Sequence, residues 1–272
     1  MLRNFLRNIR INMICRKYNI RNYVINKDGS IDVYGGVDLS NRNLDRLPLK
    51  FNKVSNYFYC KNNNLTTLEG CPIWVGNSFN CYDNKLVNLT GCPSYVGDDF
   101  CCSNNYLTNL IGSPKKVGLS FFCYSNKLTS LEGAPNYVGC HFYCFDNQLS
   151  NLIGSPNYVG CHFYCFDNQL SNLIGSPNYV GFEFDCSSNN LTSLEGCPKE
   201  IGDFSYYNNL IRGIIGLFNN IKIYLDYQET YNFLRKDSKI VKHRLDEAIK
   251  DYNEYYDDCV ELPEKIYGYV YI

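Results

Sequence analysis

Three histidines, one tryptophan and a net charge of −1 in 272 residues set the first limits on this chain. With 26 basic against 27 acidic side chains, there is no global pull toward nucleic acid or an anionic membrane surface. No run of 18 or more apolar residues occurs, so no membrane span is expected. Cysteines number 15, an odd count, and no CxxC pair of zinc type is present. Both facts argue against a disulfide framework and a structural metal centre. Neither a phosphate-binding loop nor a nucleophile–base pair is visible, so no catalytic residue, cofactor or metal is expected. The opening "MLRNFLRNIRINMIC" is basic but lacks the uninterrupted apolar centre of a secretion signal. It could form a short helix with Leu2, Leu6, Ile9 and Met13 on one side, packed over the first coil; organelle targeting is the alternative reading.

What the chain has is repetition. Residues 138–158, "VGCHFYCFDNQLSNLIGSPNY", return unchanged at 159–179. Phe58, Phe79, Phe100, Phe121, Phe142, Phe163 and Phe184 are spaced by 21 residues, and a cysteine follows each by two, from Cys60 to Cys186. Leucines follow at seven and ten positions, as at Leu65 and Leu68, and a Gly, a Pro and a "VG" or "IG" pair close each unit. The consensus is FxCxxNxLxxLxGxPxxVGxx, and the doubled phrase is one unit plus a fresh copy.

The period of two in FxC points Phe and Cys the same way from a short strand. Phe, Cys, both leucines and the Val or Ile are apolar in every unit from Phe58 to Phe184. Each side chain so buried is worth roughly 1.5–3 kcal/mol gross, and only stacked units could keep such a face dry. Pro and Gly in every return leave little room for a helix, so an extended or 3₁₀ return is expected. Asn63, Asn84, Asn105, Asn126, Asn147, Asn168, Asn189 and Asn209 form a column suited to pairing backbone groups at the turn. The cysteine column reads as buried thiols packing as small hydrophobes, since parallel side chains suit a disulfide dihedral poorly. "CHFYC" at 140–144 and 161–165 tempts toward a metal, but alternation is expected to put His141 opposite to Cys140 and Cys144.

On these residues the chain resembles leucine-rich repeat proteins over roughly 37–218, with Phe and Cys standing where the family has Leu. The "GxPxxVG" return looks like the short repeats of bacterial effectors, whose outer side is extended. The flavour of "LTSLEGCP" with "VG" is similar to repeat proteins of bacteriophages and large DNA viruses. The resemblance implies a solenoid of the α/β horseshoe class with about eight to nine coils. A viral origin would imply the host cytoplasm; absent an export signal, and with thiols that read as reduced, the cytoplasm is expected anyway.

Solenoids need caps. Residues 1–36 read as an N-terminal cap with a hairpin around Asp28-Gly29, leading to a first degenerate unit with Leu39, Leu44 and Leu47 inward. Residues 219–272 read as a C-terminal cap: a helical pair, with Ile240, Leu245, Ile249 and Tyr252 on one face of its second helix, then a closing strand with Val270 and Ile272 in the places of Phe and Cys. Cys259 invites comparison with effector ligases that carry a catalytic cysteine, but those need a far larger second domain.

Function is then expected on the outward strand positions. Asp83, Asp99, Asp146, Asp167, Glu183, Asp185 and Asp203 face only Lys61 across these columns, which argues against nucleic acid. Phe122, Tyr124, Tyr143, Phe145, Tyr164 and Phe166 cluster on three consecutive strands, flanked by His141, His162, Asp146 and Asp167. The composition fits the centre and rim of a protein interface. Sugar recognition by the aromatic strip is the alternative, and a stacking ladder without any partner is the bland one. Trp74, Tyr95, Tyr137, Tyr158 and Tyr179 make a second aromatic column on the return side, expected to lie over the turn.

Overall fold

A computed structural model describes residues 2–192, 194–210, 239–240, 242–256 and 270–271. After helix α1 (Leu2–Lys17) come strands β1 (Tyr23–Ile25) and β2 (Ile31–Val33), an antiparallel pair. Between them Gly29 has φ +89°, the left-handed conformation that the expected turn demands. From there the chain winds as a solenoid with two parallel ladders. The front ladder starts at β3 (Val37–Asp38) and adds one short strand per coil, from Phe58–Tyr59 through Phe163–Tyr164. The return ladder starts at β2 itself, pairs with β4 (Phe51–Val54) and continues through Trp74–Val75 to Tyr158–Val159. Both ladders meet in the long strand Tyr179–Asp185, which pairs with Glu200–Ser205. The return is thus extended, and the hairpin of the N-terminal cap feeds directly into the ladder.

Along the front ladder register is constant from Phe58 to Phe184: Phe58 opposes Phe79, Phe121 opposes Phe142, Phe142 opposes Phe163. All seven phenylalanines are fully buried, and their rings stack along the axis at 4.9–5.7 Å. The cysteines two residues on are equally buried, and the described cysteines are free thiols. Several of these thiols donate to a carbonyl of the next coil, as Cys123 Sγ does to Tyr143 O at 3.4 Å. Cysteine here is a small hydrophobe with one weak donor used, and burial pushes its pKa well above the ordinary value.

The asparagine column joins coils. The Asn147 amide donates to Cys144 O in its own coil at 3.1 Å and to Cys123 O in the preceding one at 3.2 Å. Its Oδ1 accepts the N–H of Leu128 at 3.0 Å. One position earlier runs a left-handed column (Asn62, Asp83, Asn104, Ser125, Asp146, Asp167, Ser188 and Asn208, φ 51–55°) where short polar residues are the best tolerated. In the return, a Cβ on Gly118 or Gly139 would collide with the carbonyl of the glycine 21 residues before it, so only glycine permits that approach.

The ends depart from expectation in detail. Helix α1 does cover the first coils, but Ile11 and Cys15, with Ile14 partly, make the contact; Leu6, Ile9 and Met13 stay exposed. The helix carries two apolar stripes, and the one continuous with Ile20 and β1 won. At the other end α2 (Lys242–Tyr256) buries Leu245, Ala248, Ile249 and Tyr252. Ile240 is not in it: Lys239–Ile240 is a strand paired in parallel with Val270–Tyr271. The closing strand therefore joins a small separate sheet rather than standing in for the Phe–Cys rung, a β-branched Ile240 at the helix boundary favouring strand. The first helix of the expected pair, Cys259 and Ile272 lie outside the described residues. No helix among the described residues is long and apolar enough to cross a membrane.

Candidate partner-binding strip

The front ladder places two outward rings per coil on three successive rungs. In-register pairing sets Phe122 beside Tyr143 and Tyr143 beside Tyr164. The ring pair Tyr143–Tyr164 is stacked at 4.7 Å and 8°. Phe122 joins Tyr143 at 5.3 Å, tilted by 55°. The parallel column is tighter: Tyr124–Phe145 at 4.6 Å and 4°, Phe145–Phe166 at 4.5 Å and 9°. These separations match the ~4.8 Å between rungs, so the backbone itself dictates the stack. Each pair is worth about 0.5–1.5 kcal/mol beyond area burial.

The six rings were expected to be exposed, and they are half-buried instead. Faces between neighbouring rings of a column are covered by the stacking itself. Asp146 and Asp167 are exposed at the left-handed turn beside them. The turn conformation alone accounts for a short polar residue there, so the pair needs no functional reason.

His141 and His162 carry the same sequence around them but differ in surroundings. Their rings lie 5.1 Å apart. His162 Nδ1 is 3.1 Å from the Tyr164 hydroxyl, which donates to Glu183 Oε2 at 2.8 Å. The other Glu183 oxygen accepts from Ser205 at 3.0 Å. Burial first, then the bond to Glu183, raises the Tyr164 pKa far above a free phenol. Glu183 was in an outward column by sequence, yet nothing in the repeat marked it as the acid that closes this network. His141 instead leaves Nδ1 buried with no hydrogen-bond partner, and burial together with His162 lowers its pKa. Asp185, at the lower edge of the strip, has its pKa raised chiefly by burial.

The expected separation of His141 from Cys140 does not hold. Cys140 lies in the bend ahead of the strand, where the period of two does not apply, and a ligand atom of His141 comes within 4.8 Å of the sulfurs of Cys140 and Cys161. Cys144 keeps its inward place. On the return side Trp74 stacks on Tyr95 at 5.8 Å, and Tyr137, Tyr158 and Tyr179 stack at 4.8 and 4.7 Å. The Trp74, Tyr158 and Tyr179 rings lie against the glycines two residues on, Gly76, Gly160 and Gly181. A further cleft, between α1 and the first returns, is lined by Arg10, Lys17, Arg46 and Lys50 with Asp45 and Glu69.

With this geometry in hand, the solved structures can be compared. YopM, a leucine-rich effector protein from Yersinia pestis, superposes with a TM-score of 0.50 at 22% identity, over 65% of this chain and 50% of that one. The fold is a leucine-rich repeat solenoid. YopM from Yersinia enterocolitica WA-314 aligns at 18% identity with a TM-score of 0.42, over 65% of this chain and 48% of that one. The chain thus spans about half the length of these structures. No family model and no curated protein matches.

Proposed function

We propose that this chain is a non-enzymatic scaffold that binds a partner protein through the front ladder. Phe122, Tyr124, Tyr143, Phe145, Tyr164 and Phe166 form the centre of contact, with His141, Asp146, His162 and Asp167 at its rim. The observation that carries the reading is the pair of ring columns: rigid, pre-ordered by the backbone, and therefore cheap in side-chain entropy to dock against. The same stacking weighs against sugar recognition. A pyranose needs a ring face, and within these columns the faces between neighbouring rings are already covered. Acids on the same surface weigh against a phosphate backbone. An enzymatic role is disfavoured by the direction of the shifts: the Tyr164 hydroxyl and the core thiols are pushed up, away from what a nucleophile or base requires. Unpaired thiols suit a reducing compartment such as the cytoplasm.

The test is affinity capture from the native cell with the full chain and with a variant carrying Tyr143→Ser, Phe145→Ser, Tyr164→Ser and Phe166→Ser. A protein retained by the first and lost by the second, with both chains equally folded by circular dichroism, is the expected result. Equal retention removes the strip as the site, and hits on a glycan array would favour the sugar reading.

A further inference from the structure

We propose that Cys140, Cys161 and His141 form a binding site for one thiophilic metal ion, zinc in the first instance. The sulfurs of Cys140 and Cys161 lie 2.7 Å apart on adjacent coils, and the His141 ligand nitrogen completes a set whose atoms all fall within 4.8 Å of one another. All three residues are half-buried, so an ion can reach them. His141 Nδ1 is buried and has no hydrogen-bond partner, a cost that coordination through that nitrogen would relieve.

Two thiolates and an imidazole are a donor set for zinc or another soft ion and a poor one for calcium or magnesium, which want oxygen. Zinc–sulfur bonds of about 2.3 Å in a tetrahedron place two sulfurs ~3.7 Å apart. Side-chain rotation that opens the present pair by ~1 Å would supply that. On binding, the two thiol protons leave to solvent and two sulfur–metal bonds form, with no change of oxidation state. Three protein ligands leave one coordination position for water or a group from outside.

The site is a product of the duplication. At the register of Cys140 the other coils hold Asn77, Asp98, Leu119 and Phe182, so only the doubled unit sets two thiols on neighbouring rungs. It does so once, because His162 is taken by Tyr164 and Glu183. Sequence spacing hid it, since ligands 21 residues apart fit no local metal motif.

The test uses the full chain, stripped of metal and held reduced, titrated with Co²⁺ and then with Zn²⁺. Expected are one Co²⁺ per chain, a thiolate-to-cobalt charge-transfer band, and its displacement by Zn²⁺. Cys140→Ser and Cys161→Ser should each weaken binding by at least ~10²-fold, beyond the 10–100-fold typical of outer-shell partners. His141→Ala should weaken it measurably, while His162→Ala and Cys197→Ser leave it unchanged. Deletion of 159–179 removes Cys161 but keeps the register, and so separates loss of the site from loss of fold; it should stay folded and bind nothing. A missing band, a band that survives Cys161→Ser, or a chain that forms only a Cys140–Cys161 disulfide and takes up no ion after reduction would overturn the proposal.

Discussion

Replacing Asn105 tests the claim that the asparagine column holds coils together. Its amide donates to Cys81 O, Cys102 O and Ser103 O, each at 3.1 Å, and its Oδ1 accepts the N–H of Leu86 at 3.0 Å. The carbonyls have second partners: Asn84 bonds Cys81 O, Asn126 bonds Cys102 O, and the N–H of Asp83 bonds Ser103 O. Asn105→Ala therefore orphans one group, the N–H of Leu86, a residue that is itself fully buried. One orphaned donor plus the net value of the bonds given up comes to about 2–4 kcal/mol. Asn105→Asp keeps an acceptor for Leu86 but turns a carboxylate oxygen on three carbonyls. It must either stay charged with no countercharge or take up a proton, and should cost more than alanine near neutral pH. In acid the neutral carboxyl can donate one bond, so the gap should narrow. Urea midpoints and slopes for the three chains at pH 7 and pH 4 are the measurement. An alanine variant within about 0.5 kcal/mol of wild type, or an aspartate variant at least as stable as the alanine one, would refute the reasoning.

Phe142→Ala should lose about 3–5 kcal/mol by leaving a cavity between stacked rings, read from the same denaturation curves. Gly139→Ala should lose more than an ordinary surface change, because its Cβ would meet the backbone of Gly118 rather than a movable side chain; a melting temperature within a degree or two of wild type would contradict that. Stability should fall on the alkaline side. The core thiols have raised pKa values when folded, Cys197 to about 11, so above the unfolded thiol value of about 8.5 the open chain loses protons that the folded one keeps. A urea midpoint lower at pH 10 than at pH 7 is the expected sign. For the same reason iodoacetamide should label the folded chain slowly at neutral pH and the denatured chain fast, counted by mass spectrometry.

The solenoid was legible because its cause is periodic. Phe, Cys, Leu and Val repeat with the winding, and the burial of Phe121, Cys123, Leu128, Leu131 and Val138 follows from spacing alone. What did not follow depends on contacts between unlike parts of the chain. The choice of stripe on α1 turned on Ile11 and Cys15 meeting the hairpin, which no periodicity within the helix decides. The pairing of Lys239–Ile240 with Val270–Tyr271 joins segments about thirty residues apart and lies beyond any local pattern. At the strip, the columns of Tyr143 and Phe145 were readable, but their half-buried state was not, since it comes from rings covering one another. Cys140 escaped because a rule for strands was applied two residues ahead of the strand, in the bend.

The two identical phrases also show how little a residue's neighbours in sequence need to decide its chemistry. His141 and His162 share every flanking letter, yet one looks onto a pair of sulfurs and the other onto a carboxylate, only because different coils come next. In a tandem array, copying a segment creates novelty at the seam before any letter has changed. Place in the queue is itself a kind of mutation.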